Sequence, residues 1–200
     1  TKNTSIAAFN SPLIEVTIII FMLIAATNFS LHYLFIGRKK FDYFKDEEFR
    51  VYFYIICLVT VILFMDLNIN GIYNWQLSSI KDSLFTTTSI LTTTGFGTVD
   101  FELFPTISKV CIFFLFFIGG TAGSTTGGIK IIRSILVIKY LSYELKKLIH
   151  PQGAYSIKIG GNVVSDSVIK NTLGFYLFYI FIFIVGAIIF SSFNIDIVTS

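Results

Sequence analysis

The sequence predicts an all-α membrane protein: helices that cross a bilayer, with one short helix and loop between them that enter and leave on the same side. Three observations predict it. Hydrophobic residues make up 54% of the 200 and charged residues only 14%, with 23 Phe, 10 Tyr and a mean hydropathy of +0.78. A soluble domain of this length cannot bury that much apolar surface in one core, so lipid must cover part of it. Four apolar stretches alternate with basic clusters, and between the second and third lies a Thr- and Gly-rich segment too polar to span and too apolar for a plain loop.

The first stretch, Leu13 to Ile36, is 24 residues. As one helix it is about 36 Å long, enough to span with some tilt. Pro12 opens it, and Glu15 sits close enough to that end to be tolerated. Val51 to Leu67 is marginal in length and gains from its flanks. Thr106 to Ile118, at 13 residues, reaches only about 20 Å and cannot cross unaided. Thr172 to Phe193 contains no charge and spans.

Basic residues mark the cytoplasmic side. Arg38, Lys39, Lys40, Lys45 and Arg50 follow the first stretch. Lys130, Arg133, Lys139, Lys146, Lys147, Lys158 and Lys170 separate the third from the fourth; together these are 12 of the 15. The other side carries Asp66, Asp100, Glu102 and Asp196 beside Lys2, Lys81 and Lys109, a balance suited to a cation vestibule. A net charge of +3 is too small to imply a nucleic acid as partner. Cys57 and Cys111 lie in apolar runs without metal-ligand spacing and read as buried, reduced thiols. His32 and His150 are isolated. Thr1 rather than Met, with no signal peptide behind it, reads as a segment of a longer protein.

Because both ends of the segment Ser79 to Asp100 must lie on the outer side, a re-entrant path fits: a helix over roughly Ile80 to Leu91 descends, and an extended stretch at 92–98 returns. Irregular backbone at that depth is permitted only where protein surrounds it or water and ions line it. Thr92, Thr93, Thr94, Gly95, Phe96 and Gly97 have the order a cation filter needs. Glycines supply the positive φ that turns successive carbonyls toward one axis, and those oxygens replace the water shell of the ion. The carbonyl end of the short helix would favour a cation there. Read in register, Thr93 to Gly97 resembles the Thr-Val-Gly-Tyr-Gly filter of potassium channels. A Thr-rich hairpin or an inert outer loop is the structural alternative.

Gly119, Gly120, Thr121, Ala122, Gly123, Ser124, Thr125, Thr126, Gly127 and Gly128 follow the short third stretch. Five glycines in ten residues cannot hold a regular helix, at roughly 1 kcal/mol each relative to Ala. A nucleotide P-loop is excluded because Ile129 stands where its Lys belongs and Ile131 where its Ser or Thr belongs. The segment reads as a helix broken inside the membrane, with small and hydroxyl residues that can form a gate. A loop that only accommodates packing is the alternative. Ile129 to Ile149 resumes as a helix with a stripe of Ile131, Ile135, Ile138, Leu145 and Ile149, Ser142 filling the gap, suited to another helix or a second protomer. Lys130 and Arg133 share one face, as anchoring charges or as electrostatic control of ions near the gate. Tyr155 to Val164, turning at Gly160-Gly161, predicts a small β-hairpin. No paired carboxylates or His/Asp/Ser set is placed for chemistry, so no enzyme is expected.

These motifs resemble the Trk/Ktr/HKT superfamily of potassium transporters, closest to the bacterial Trk-type pore subunit. The matching pieces are Thr86 to Phe96, Gly119 to Lys130 with Arg133, His150-Pro151 through Gly161, and Phe9 through His32. The resemblance implies a potassium-channel-like fold of four helix–pore loop–helix repeats around a pseudo-fourfold pore, of which this chain is a central fragment. Residues 1–36 would close the second repeat, 37–50 form a cytoplasmic connector, and 51–149 form the complete third repeat with its broken helix at 106–149. Residues 150–165 would be a cytoplasmic hairpin, and 166–200 would open the fourth repeat. Pro12-x-Ile14 and Pro105-x-Ile107, 93 residues apart, agree as a faint internal repeat. The resemblance also implies potassium as the ion, without an organic cofactor, and a multi-pass location in the bacterial cytoplasmic (inner) membrane. The implied partners are the remaining repeats, the lipid bilayer, a second copy in a homodimer, and a cytoplasmic nucleotide-binding regulatory subunit. A sodium-preferring relative and a non-conducting membrane scaffold stay open as alternatives.

Overall fold

A computed structural model describes residues 5–9, 11–38, 42–153 and 155–192. Its long elements are all helical: α1 (Pro12–Ala25), α2 (Phe29–Arg38), α3 (Glu47–Ile69), α4 (Leu77–Leu91), α5 (Thr106–Phe117), α6 (Ile131–Ile149) and α7 (Asp166–Ser192). Two short strands, β1 (Lys158–Ile159) and β2 (Asn162–Val163), complete them. The chain forms two compact units, residues up to Ser134 and residues from Ile135. Lys2, Lys39, Lys40, Phe193 and Asp196, which entered the reading of sidedness and span length, lie outside the described residues.

In the first unit α4 is the centre, packed against α1, α3 and α5. It is polar and buried at once: Ser79, Ser83, Thr87 and Thr88 are fully enclosed beside Phe85 and Leu91. Phe85 joins Ile19 and Met22 of α1 in one apolar cluster. The α3 helix is longer than its apolar run because Asp46 caps it, its carboxylate accepting from the Phe49 N–H at 2.8 Å. At 23 residues, about 34 Å, it is long enough to span without help. Cys57 on this helix is exposed and Cys111 of α5 half-buried, both free thiols. The expected burial fails because an apolar run does not reveal which face of a membrane helix meets protein.

The first apolar stretch departs from expectation. Instead of one helix over Leu13 to Ile36, α1 and α2 meet at a 96° bend across Ala26, Thr27 and Asn28. Asn28 accepts from the Ser30 N–H through its side-chain oxygen at 2.8 Å, capping α2 and competing with continuation. The carbonyls of Leu23, Ile24, Ala25 and Ala26, released by the break, find donors. The Ile24 carbonyl accepts from the Thr27 N–H at 3.1 Å and from His32 Nε2 at 2.9 Å. Since a carbonyl only accepts, Nε2 carries the proton, and in the neutral ring Nδ1 accepts from the Tyr43 hydroxyl at 2.8 Å. His32 is therefore a brace for the bend.

The second unit holds α6 from Ile135 onward, the hairpin and α7. Leu136, Ile157 and Ile169 form its core. The hairpin pairs Lys158 with Val163 and Ile159 with Asn162, with Gly160 and Gly161 both at positive φ. This is the two-residue turn expected of Gly-Gly. Of the α6 stripe, Ile131 and Ile135 are buried, whereas Ile138, Leu145 and Ile149 are exposed. Along α7, Leu177, Phe178, Phe181 and Ile188 are exposed, as befits a helix that lipid or other helices surround.

Candidate functional site

The filter candidate begins at the carbonyl end of α4. The Thr93 N–H donates to the Ile90 carbonyl and the Thr94 N–H to the Ser89 carbonyl, both at 3.0 Å. This is the Schellman closure, in which the residue after the cap takes a left-handed conformation. That residue is Thr93, at φ 54°. Glycine is the residue type that allows positive φ here. Gly95 takes one, at 74°, Gly97 does not, and β-branched Thr93 adopts one at a conformational cost.

Downstream, the carbonyls divide into two sets. The Phe96 carbonyl accepts from the Ser89 hydroxyl at 2.6 Å, and the Gly97 carbonyl accepts from the N–H groups of Ile6 and Ala7 at 3.2 and 3.3 Å. These bonds tie the end of the stretch to α4 and to the short 3-10 helix Ser5–Phe9. Among the described residues, no hydrogen bond uses the carbonyls of Thr93, Thr94 or Gly95. Residues 93–96 are exposed, while Thr92 is buried with its hydroxyl 2.8 Å from that of Thr94. Three successive main-chain oxygens without protein partners thus lie beyond the negative end of a buried helix, an arrangement that favours a cation.

The glycine-rich segment follows α5. Its two ends are pinned: Ile118 and Ile129 form a parallel bridge, the Gly119 N–H donates to the Ile129 carbonyl at 3.0 Å, and the Ile131 N–H donates to the Gly120 carbonyl at 3.2 Å. A side chain cannot be accommodated at the pinch. A Cβ on Gly119 would lie 2.1 Å from the Gly127 carbonyl oxygen, and one on Gly120 would lie 2.7 Å from that of Ala26. Gly119, Gly120, Thr121 and Thr126 are buried; Ala122, Ser124 and Gly128 are half-buried; Gly123, Thr125 and Gly127 are exposed.

This loop fills the break between α1 and α2. Thr121 donates its N–H and its hydroxyl to the Ala26 carbonyl at 3.0 and 3.1 Å. Thr125 does the same to the Ala25 carbonyl at 3.2 and 3.1 Å. In return the Phe29 N–H donates to the Gly123 carbonyl at 3.1 Å. The two breaks also agree in register, because 93 residues on from Ala26 stands Gly119. On its far side the loop touches the filter candidate, where the Gly127 N–H donates to Thr93 Oγ1 at 2.8 Å.

Lys130 folds back on the loop. Its ammonium donates to the Thr126 carbonyl, to Thr126 Oγ1 at 2.8 Å and to Ser124 Oγ at 3.4 Å. Arg133 stands half-buried in the first turn of α6.

Three carboxylates are more deeply engaged than sequence reasoning allowed. Glu15 is buried and paired with Lys81 of α4. Asp66, expected in the vestibule, is 7% exposed and accepts from both the N–H and the hydroxyl of Ser108, at 2.9 and 2.6 Å. It caps α5 from a neighbouring helix. Glu48, placed by sequence in the connector, is buried and accepts from Ala122 and Ile132. The signal was present in each case: an acid beside or within an apolar run is costly unless partnered.

The family model for TrkH cation transport proteins matches residues 1–199. The chain belongs to that family. It is 36% identical, over 98% of its length, to the Trk system potassium uptake protein TrkH of Salmonella typhimurium, covering 41% of that protein. The TrkH of Vibrio parahaemolyticus is 37% identical over 92% of the chain, which covers 39% of it. The crystal structure of the potassium transporter TrkH from Vibrio parahaemolyticus superposes with a TM-score of 0.89 at 35% identity, over 97% of this chain and 42% of that one. The chain therefore spans about two fifths of these relatives. The chain is an all-α membrane protein with a re-entrant pore helix.

Proposed function

We propose that this chain is the central part of a potassium uptake pore of a bacterial cytoplasmic membrane, in which the oxygens of Thr93, Thr94 and Gly95 replace the hydration of the ion. The supporting observation is the run of three exposed, unengaged carbonyls at the end of buried α4. Thr92 and Thr94 add hydroxyls to the lining. Phe96 and Gly97 take part with their carbonyls already anchored to Ser89, Ile6 and Ala7, so they set the curvature of the stretch more than its affinity. Residues 119–128 form the gate, lying against Thr93. Lys130 steadies the loop, and Lys130 with Arg133 sets the potential that an ion meets beyond it.

In this reading 1–36 closes one repeat and 51–149 is a complete repeat with α4 as its pore helix. Residues 37–50 and 150–165 are cytoplasmic, and 166–200 opens the next repeat. The pore is then completed by repeats outside this chain. A second copy meets the exposed Ile138, Leu145 and Ile149, and a nucleotide-binding regulatory subunit docks on the cytoplasmic side. The relatives named above carry potassium uptake in their names, which favours potassium over sodium.

The test is ion uptake by the full-length protein. Replacing Gly95 with Val should abolish uptake or broaden its ion choice while membrane insertion persists, and unchanged selectivity would reject the filter assignment. Trimming residues 123–127 should raise ungated flux; flux that stays low would make the loop a packing element instead.

A further inference from the structure

We infer that Glu48 is the latch of the 119–128 loop: a positioning residue whose single carboxylate oxygen holds the loop to the start of α6 and both to α3. The inference rests on the reading of that loop as the gate. Glu48 lies in the first turn of α3 and is 6% exposed. Its Oε1 accepts from the Ala122 N–H at 2.7 Å and from the Ile132 N–H at 2.9 Å. The first donor is inside the loop. The second is in the first turn of α6, where a helix leaves its N–H groups without internal partners.

Among the described residues, the loop's other ties to α1 and to the filter candidate are between neutral groups. Thr121 and Thr125 meet the Ala26 and Ala25 carbonyls, and Gly127 meets the Thr93 hydroxyl. A carboxylate or an amide oxygen can accept from two N–H groups, so the site requires an acceptor at the reach of Glu48. The Glu48 pair is also shared by one atom, so the loop cannot leave Ala122 behind or swing about α6 without uncovering a buried carboxylate. The position of the latch is equally telling. It joins a span to the loop and to the helix that follows it, at donors ten positions apart, while the neighbouring Lys130 is engaged with Thr126 and Ser124 instead. Closure therefore depends on the geometry of one acceptor oxygen, not on its charge alone.

Substitution separates these. Glu48→Gln keeps an acceptor oxygen at the same reach, Glu48→Asp keeps the charge but falls one methylene short, and Glu48→Ala removes both. In full-length protein reconstituted into phosphatidylethanolamine and phosphatidylglycerol vesicles, rubidium flux is measured without any regulatory subunit. Glu48→Asp and Glu48→Ala should raise resting flux by about tenfold, and Glu48→Gln should stay at the native level. In protein with residues 123–127 trimmed, none of the three should add to the flux. If Glu48→Ala does not fold, the Asp and Gln pair decides. Native resting flux in Glu48→Asp, in a preparation where trimming does raise flux, overturns the latch and leaves the gate standing. High flux in Glu48→Gln with low flux in Glu48→Asp overturns it too, since charge would then be what matters. Trimming that leaves flux unchanged removes the gate reading and the latch with it.

Discussion

The Gly127 N–H donates to the Thr93 hydroxyl at 2.8 Å, so the glycine-rich loop and the residue that ends α4 share a hydrogen bond across 34 positions of sequence. Thr93 is also the β-branched residue held at φ 54°. One contact thus supports the least comfortable backbone in the filter candidate and fixes one side of the loop. Thr93→Ser should keep it, while Thr93→Val should lose it and lower stability by about 1 kcal/mol. Thermal unfolding in detergent measures the difference, and equal midpoints for the two variants would show that the bond carries no weight.

The pinch at Gly119 and Gly120 makes a sharper steric prediction. A Cβ at either position meets main-chain or side-chain atoms below 3.0 Å, so alanine there should prevent the loop from closing on α1. Gly174, inside α7, has nothing within 4 Å of its would-be Cβ. Gly174→Ala should be neutral or stabilise by up to about 1 kcal/mol. Comparing recovery of folded Gly119→Ala and Gly174→Ala protein by size exclusion tests the contrast.

Asp66 serves α5 as a borrowed cap. Asp66→Ala leaves the Ser108 N–H and hydroxyl buried without their acceptor, at a cost of about 1–3 kcal/mol. Asp66→Asn retains one acceptor oxygen and should cost less. A chemical denaturation series ranks them, and an unchanged midpoint in Asp66→Ala would remove the cap assignment.

The Glu15–Lys81 pair joins α1 to the N-terminal part of the pore-helix candidate, with the carboxylate buried and the ammonium partly open to solvent. Lys81→Met should destabilise by about 2 kcal/mol because it strands a buried carboxylate. Glu15→Gln in the same protein should recover part of that loss. The coupling energy from the four proteins is the measurement, and a value near zero would mean that the pair is structurally idle.

Much of this architecture is legible in the residues because the bilayer leaves few options. A run such as Val51 to Leu67 can only be a helix, Gly160-Gly161 between short apolar runs can only turn, and five glycines in ten residues must break α5 from α6. The order Thr-Thr-Gly-Phe-Gly after a short polar helix likewise exposes the filter candidate without coordinates. The bend at Ala26 was not legible. Nothing between Leu13 and Ile36 forbids a straight helix, and what stabilises the break is a partner nearly 100 residues away, where Thr121 and Thr125 cover the released carbonyls. The same holds for Glu48, which reads as a connector charge until Ala122 and Ile132 are brought to it.

The sequence by itself determined where helices form, where they cannot continue, and which short stretch stands as the filter candidate. Those outcomes follow from local rules: hydropathy, helix length and the conformational reach of glycine. The tertiary structure decided which carbonyls stay unengaged, which acids are partnered, and that two breaks in distant helices fill one another. Each of those depends on a hydrogen bond between groups far apart along the chain, and local sequence carries no record of such pairings.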